Sequence, residues 1–119
     1  MRAKEDIKPE EIIDGNKLIS KFMGFEVKIS KHYVGGLAIK VDGATKNVYY
    51  HSSWEWLMPV YSKINQYILK RSLTDFEFAT NTEQLHLNLW MELEDCSDNP
   101  IGLWFHVVEF IKWHNQNQK

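Results

Sequence analysis

Leu85-His86-Leu87-Asn88-Leu89-Trp90-Met91-Glu92-Leu93 places a large apolar side chain at every odd position and a polar residue or an indole at every even one. Successive side chains of a strand point to opposite faces, so strict alternation reads as a strand with one face in the core. It is the clearest strand signal in the chain. The opposite face carries His86, Asn88, Trp90, Glu92 and Glu94, a polar row broken by one tryptophan. Upstream, Phe76 and Phe78 mark a short strand and Thr80-Asn81-Thr82-Glu83 a turn, so this third of the chain is expected to form a strand pair.

Helical signals surround it. In Tyr49-Tyr50-His51-Ser52-Ser53-Trp54-Glu55-Trp56-Leu57-Met58-Pro59-Val60, Ser52 and Glu55 make an S-x-x-E capping box, which predicts a helix from Ser53 to about Arg71. Ser62, Lys63, Gln66 and Lys70 then form a narrow polar stripe opposite Leu57, Val60, Tyr61, Ile64 and Ile68, and Pro59 is expected to bend the helix. At about 100° per residue, Trp54 and Trp56 project in different directions. One of them can enter the core while the other lies at a rim or on a second surface. Pro9 suits a first helical turn, and Ile12, Leu18, Ile19, Phe22 and Met23 predict a helix over most of 10–23, ending at Gly24 as a left-handed cap. Gly15 is its weak point, with Asp14 as an alternative N-cap.

Phe25, Val27 and Ile29 alternate with Glu26 and Lys28 as a half-buried strand. Leu37, Ile39 and Val41 lead to an Asp42-Gly43 turn, from which Val48 to Tyr50 is expected to return as the second arm of a hairpin. Asn99-Pro100 opens a last helix to about Gln116, apolar around much of its circumference through Leu103, Trp104, Val107, Val108, Phe110 and Ile111. Such a helix is expected to be central or shared with a second subunit. The element order predicts an α+β fold, an antiparallel sheet of about four to five strands covered by three helices in a helix/sheet/helix sandwich. A single domain spanning 1–119 is expected, with residues 1–8 a mobile tail.

Composition narrows the function classes. With 119 residues, 44% hydrophobic, and five Trp, five Tyr and six Phe, the chain can bury a core of its own. A net charge of −2 and dispersed lysines, with Lys70-Arg71 the one adjacent basic pair, argue against a DNA-binding stripe. The single cysteine, Cys96, permits no internal disulfide and fits a reducing cytoplasm. No apolar run reaches the ~18 residues of a membrane span, and Met1-Arg2-Ala3-Lys4-Glu5-Asp6 does not look like a secretion signal, so host-cell cytoplasm is the expected location.

Three segments resemble small uncharacterised proteins of tailed phages and prophages, including the phage ABA-sandwich domain family: Leu18 through Gly24, Tyr50 through Ile64 with its Ser-Trp-Glu-Trp-Leu-Met core, and Val107 through Trp113. The resemblance implies a mobile-element origin and the helix/sheet/helix layout, and it brings no catalytic residues. Two departures stand out. The stretch between Gly24 and Tyr49 is longer than in that group, with Gly35-Gly36 and Asp42-Gly43 turns, and His114 stands where an aromatic usually follows the tryptophan.

The aromatic residues give the candidate chemistry. Tyr50, His51, Trp54, Trp56, Trp104 and Trp113, with Tyr49 beside them, are either core and rim packing or a ligand-binding set, because indoles stack on bases and a helix N-terminus beside His51 can meet a phosphate. No H-x-x-x-H or Cys-x-x-Cys supplies metal ligands, so no metal or other cofactor is expected. Glu92, Glu94, Asp95 and Asp98 read as a solvated acidic end. His51 next to Ser52-Ser53 is adjacency without a nucleophile elbow. These residues lead to the expectation of a non-enzymatic phage or prophage accessory protein that counters host defence by sequestering a nucleotide-like signal. The alternatives are a protein-binding inhibitor or scaffold that masks a defence protein through its Trp-rich helices, and a small hydrolase of unrecognised type. A homo-oligomer, a dimer first of all, is expected from the surplus apolar arc of the last helix.

Overall fold

Leu85, Leu89 and Leu93 recur every fourth residue as well as every second, and the fold takes the helical option. In the computed structural model, which describes residues 8–29, 37–41, 43–95 and 100–117, the chain forms helix α1 (Pro9–Phe22), strands β1 (Glu26–Ile29), β2 (Leu37–Val41) and β3 (Ala44–Asn47), and helices α2 (Trp54–Ser72), α3 (Phe76–Asp95) and α4 (Ile101–Asn117). The α+β class holds, with a three-stranded antiparallel sheet and four helices among the described residues in place of four to five strands and three helices. Gly35-Gly36, Asp42, Cys96, Asp98, Asn99 and all but Lys8 of the expected tail lie outside the described residues.

The strand pair expected over 76–93 is thus one helix of 20 residues. Its start is set by Asp75, whose carboxylate accepts from the Phe78 N–H at 3.0 Å while its carbonyl accepts from Ala79 N–H. The supposed turn is satisfied within the helix, since the Thr80 and Thr82 hydroxyls donate back to the Phe76 and Phe78 carbonyls. From Glu83 to Asp95 there is no β-branched residue, and Leu, Met, Glu and Gln are good helix formers. Phe78, Thr82 and Leu89 are buried with Leu85 and Leu93 packed alongside, whereas Leu87 and Met91, expected in the core, face solvent.

Elsewhere the local chemistry acts much as the sequence implies. Helix α1 runs through Gly15 without a break and closes in a Schellman motif: Phe25 N–H donates to Ser20 O, Gly24 N–H to Lys21 O, and Gly24 has φ 86°. The α2 cap falls one residue later than the S-x-x-E box places it. Ser53, not Ser52, is the N-cap, and its hydroxyl accepts from Trp56 N–H at 3.4 Å. Neither Trp54 nor Trp56 is the core residue of this turn; both are half-buried, while Leu57 and Val60 are completely enclosed. For α4, Trp104 N–H donates to the Pro100 carbonyl at 2.8 Å, so Pro100 caps the helix instead of opening it.

The hairpin turns more tightly than expected. Val41 pairs with Ala44, Gly43 takes φ 82°, and β3 is the polar stretch Ala44–Asn47 in place of Val48–Tyr50. Val48 and Tyr50 owe their apolar spacing to burial in an irregular segment leading into α2. Strand β2 is central in the order β1-β2-β3, and Leu37, Ala38 and Ile39 are all buried.

The helices pack chiefly on one another: α4 lies against α1, α2 and α3, α2 against α3, and α1 also covers β1 and β2. The apolar circumference of α4 is therefore absorbed within the chain, which removes the reason for which a second subunit was expected. Among the described residues, no helix is long and apolar enough to cross a membrane.

Candidate functional site

Asn16, on the buried side of α1, organises the first cluster. The Trp104 Nε1–H donates to Asn16 Oδ1 at 2.8 Å, and a tryptophan can only donate there, which fixes the orientation of the amide. Asn16 Nδ2 must then donate to His51 Nδ1, 2.9 Å away, leaving the imidazole proton on Nε2. Burial lowers the His51 pKa, in keeping with a neutral ring. One turn on, Ser20 donates to the Asn16 carbonyl at 2.8 Å, and the Tyr50 hydroxyl hydrogen-bonds the Ser20 side chain. Burial outweighs that bond and pushes the Tyr50 pKa up to about 12.

This network joins α1, the turn before α2, and α4. Tyr50 and Trp104 are each 2% exposed, so both are core residues with no face left for a ligand. Trp56 meets the edges of Tyr49 and Tyr50 at 5.9 and 5.2 Å, beside an open cavity of about 310 Å³ that Met23, Ile39 and Lys46 also line. Trp54 is half-buried against the core, and Trp113 packs on Phe78 and Phe110. Of the six residues expected to bind a ligand, the structure brings Tyr50, His51 and Trp104 into one polar network and Trp56 next to it. Trp113 belongs to a different cluster.

That second cluster contains the residues the sequence reading passed over. Lys21 and Phe22 from the end of α1, Lys63 and Tyr67 from α2, and His114 and Asn115 from α4 surround a cleft of about 510 Å³. Its size lies in the ~300–1,000 Å³ range of small-molecule sites. His114 stacks on Phe110 at 6.2 Å and meets the edges of Tyr67 and Phe22 at 5.2 and 5.8 Å. Lys63 lies 4.7 Å from the Phe22 ring centroid and donates to the Phe22 carbonyl at 2.6 Å, so the ammonium is held at the cleft by the C-terminal end of α1. Arg71 donates to the Tyr67 hydroxyl at 2.8 Å.

Among the described residues, the charged side chains lining this cleft, Lys21 and Lys63, are both cationic, and no carboxylate lines it. Burial, then Arg71, then Lys63 lower the His114 pKa, so the ring is neutral where an unperturbed histidine would begin to protonate. A neutral imidazole, two ammonium groups and ring edges can together bind an anion carrying a flat apolar group. The available signals were Lys63 in the polar stripe and His114 in place of an aromatic. Nothing in the sequence tied them to Phe22, 41 residues before Lys63.

Among the described residues, no three His, Cys, Asp or Glu side chains gather as metal ligands. Comparison with family models, curated proteins and solved structures gives no match for this chain.

Proposed function

We propose that this protein is a non-catalytic binding protein that sequesters a nucleotide-like anion in the cleft between α1, α2 and α4. The observation that carries the reading is the composition of that cleft: Lys21 and Lys63, with no opposing carboxylate among the described residues, beside Phe22, Tyr67 and a neutral His114. Phosphate oxygens pair with the ammonium groups, and a base lies against the rings. The site differs from the Trp-centred one expected from sequence, but the ligand class is the same. A role as a phage or prophage accessory factor that removes a host defence signal is part of the proposal, and it is supported by the sequence resemblance alone.

Absence of turnover is likewise proposed. It is favoured by the commitment of His51 Nδ1 to Asn16, which takes that nitrogen away from the neighbouring Ser52 and Ser53. The test is calorimetry with AMP, a cyclic dinucleotide and ADP-ribose, followed by identification of the recovered ligand. At least one should bind, binding should weaken about 10- to 100-fold in Lys63→Ala as a charge-assisted contact is lost, and the ligand should return unchanged. No binding at millimolar concentration would overturn the reading in favour of protein masking, and excess conversion to a product would show an enzyme.

A further inference from the structure

We infer that the outer face of α2 and α3 is the docking surface for a second copy of this chain, with the two α3 helices antiparallel across a two-fold axis. Leu69 of α2, Leu73 just past its end, and Phe76, Leu87, Trp90 and Met91 of α3 are between 45% and 86% exposed. On α3 these positions fall on one side, because Phe76 and Leu87 are separated by nearly whole turns and Trp90 and Met91 follow three and four residues later. A small soluble domain seldom leaves so many large apolar groups uncovered together.

Area and charge favour a second copy. Taking ~200 Å² for a large side chain fully exposed, the six present roughly 700 Å² of apolar surface, close to the ~800 Å² per partner of a stable interface. A groove of about 440 Å³ runs between the helices, with Ser72 and Ala79 among its walls toward the α2–α3 turn and Leu87 and Trp90 further along α3. Antiparallel docking carries Lys70, exposed next to Leu69 at the rim of the face near the turn, toward the exposed Glu94 of the partner subunit at the far end of α3. It closes as a dimer and leaves no apolar edge to propagate. Glu83 lies near the middle of the α3 stripe, where the axis brings it toward its own copy.

This surface is separate from the proposed ligand cleft and does not depend on it. The test is size-exclusion chromatography with light scattering between about 1 and 100 µM, the range in which such interfaces associate. Wild-type protein should elute at twice its 14.1 kDa chain mass. Trp90→Lys replaces an exposed residue, so helicity and melting should be retained while dimerisation weakens by about 100-fold or more, the loss being felt twice across the axis. Lys70→Glu and Glu94→Lys should each weaken it by about 3- to 10-fold, with recovery in the double charge swap, and Glu83→Gln should tighten it. A monomer throughout the range would overturn the inference and leave the face to a different protein. A dimer unaffected by Trp90→Lys would place the interface elsewhere.

Discussion

Replacing Gly15 by alanine should destabilise the protein, although helix propensity alone favours alanine in the middle of α1 by about 1 kcal/mol. A Cβ built at Gly15 overlaps Trp104 Cζ2 and comes within 2.9 Å of Trp104 Cη2 and 3.0 Å of Val108 Cγ2. Ordinary carbon contacts are ~3.5–4.0 Å, so the indole must retreat by roughly 1 Å. It has little room, being 2% exposed, and its Nε1–H is held by Asn16 at 2.8 Å. Overpacking of this kind costs about 1–3 kcal/mol and a weakened buried hydrogen bond another ~0.5–1.5, so the steric penalty exceeds the propensity gain. The net loss should be about 1–3 kcal/mol, read as a lower urea midpoint at unchanged slope. Trp104→Phe removes the atoms that collide. In a double-mutant cycle it should therefore make Gly15→Ala less costly by about 1 kcal/mol or more, a coupling expected only of residues in contact. Gly15→Ala protein as stable as wild type, or more stable, would refute the close packing of α1 on α4.

Three further outcomes follow from the same structure. Measured in the Trp90→Lys background, which keeps the chain monomeric, Leu89→Ala should cost about 2–5 kcal/mol in urea melts while Leu87→Ala stays within about 0.5, because Leu89 is enclosed and Leu87 is exposed in the single chain; equal losses would restore the strand reading. Asp75→Ala should cost about 1 kcal/mol through the lost α3 cap, whereas Asp75→Asn, which keeps an acceptor, should cost less, and equal effects would argue against capping. Burial is the first cause of the lowered pKa at His51, His86 and His114, so the unfolded chain takes up protons before the folded one. Their contribution is fully present above the unfolded histidine pKa of about 6.5 and is lost as pH falls below it; urea midpoints equal at pH 7.5 and pH 5.5 would contradict this, and His114→Asn should flatten part of the slope.

What was legible in the sequence was whatever a short window of backbone chemistry decides. Glycine past the last apolar residue of α1 ends that helix through its left-handed φ, and the polar and apolar stripes of α2 give its length; the alternation over 25–29 located β1 but not its buried face, since Ile29 is 59% exposed. The site was less legible, because its groups come from three helices and side chains adjacent in space are far apart in the chain. Asn16 reads locally as an ordinary helical polar residue, yet it holds Trp104, 88 positions away, and His51, 35 positions away. Lys63 reads as part of a solvated stripe until α1 places the Phe22 carbonyl under it.

The stretch Leu85–Leu93 marks the boundary between the two kinds of information. An apolar residue at every second position satisfies a strand with four leucines and one methionine inward, and also a helix that uses Leu85, Leu89 and Leu93 and leaves Leu87 and Met91 outside. Sequence determined that this segment is apolar and free of β-branched residues from Glu83 to Asp95, while the Asp75 cap was seen only in the structure. Tertiary structure decided which leucines are buried, because α2 and α4 cover one side of α3. The uncovered side, with Leu87, Trp90 and Met91, is a product of that packing and could not be read from alternation alone.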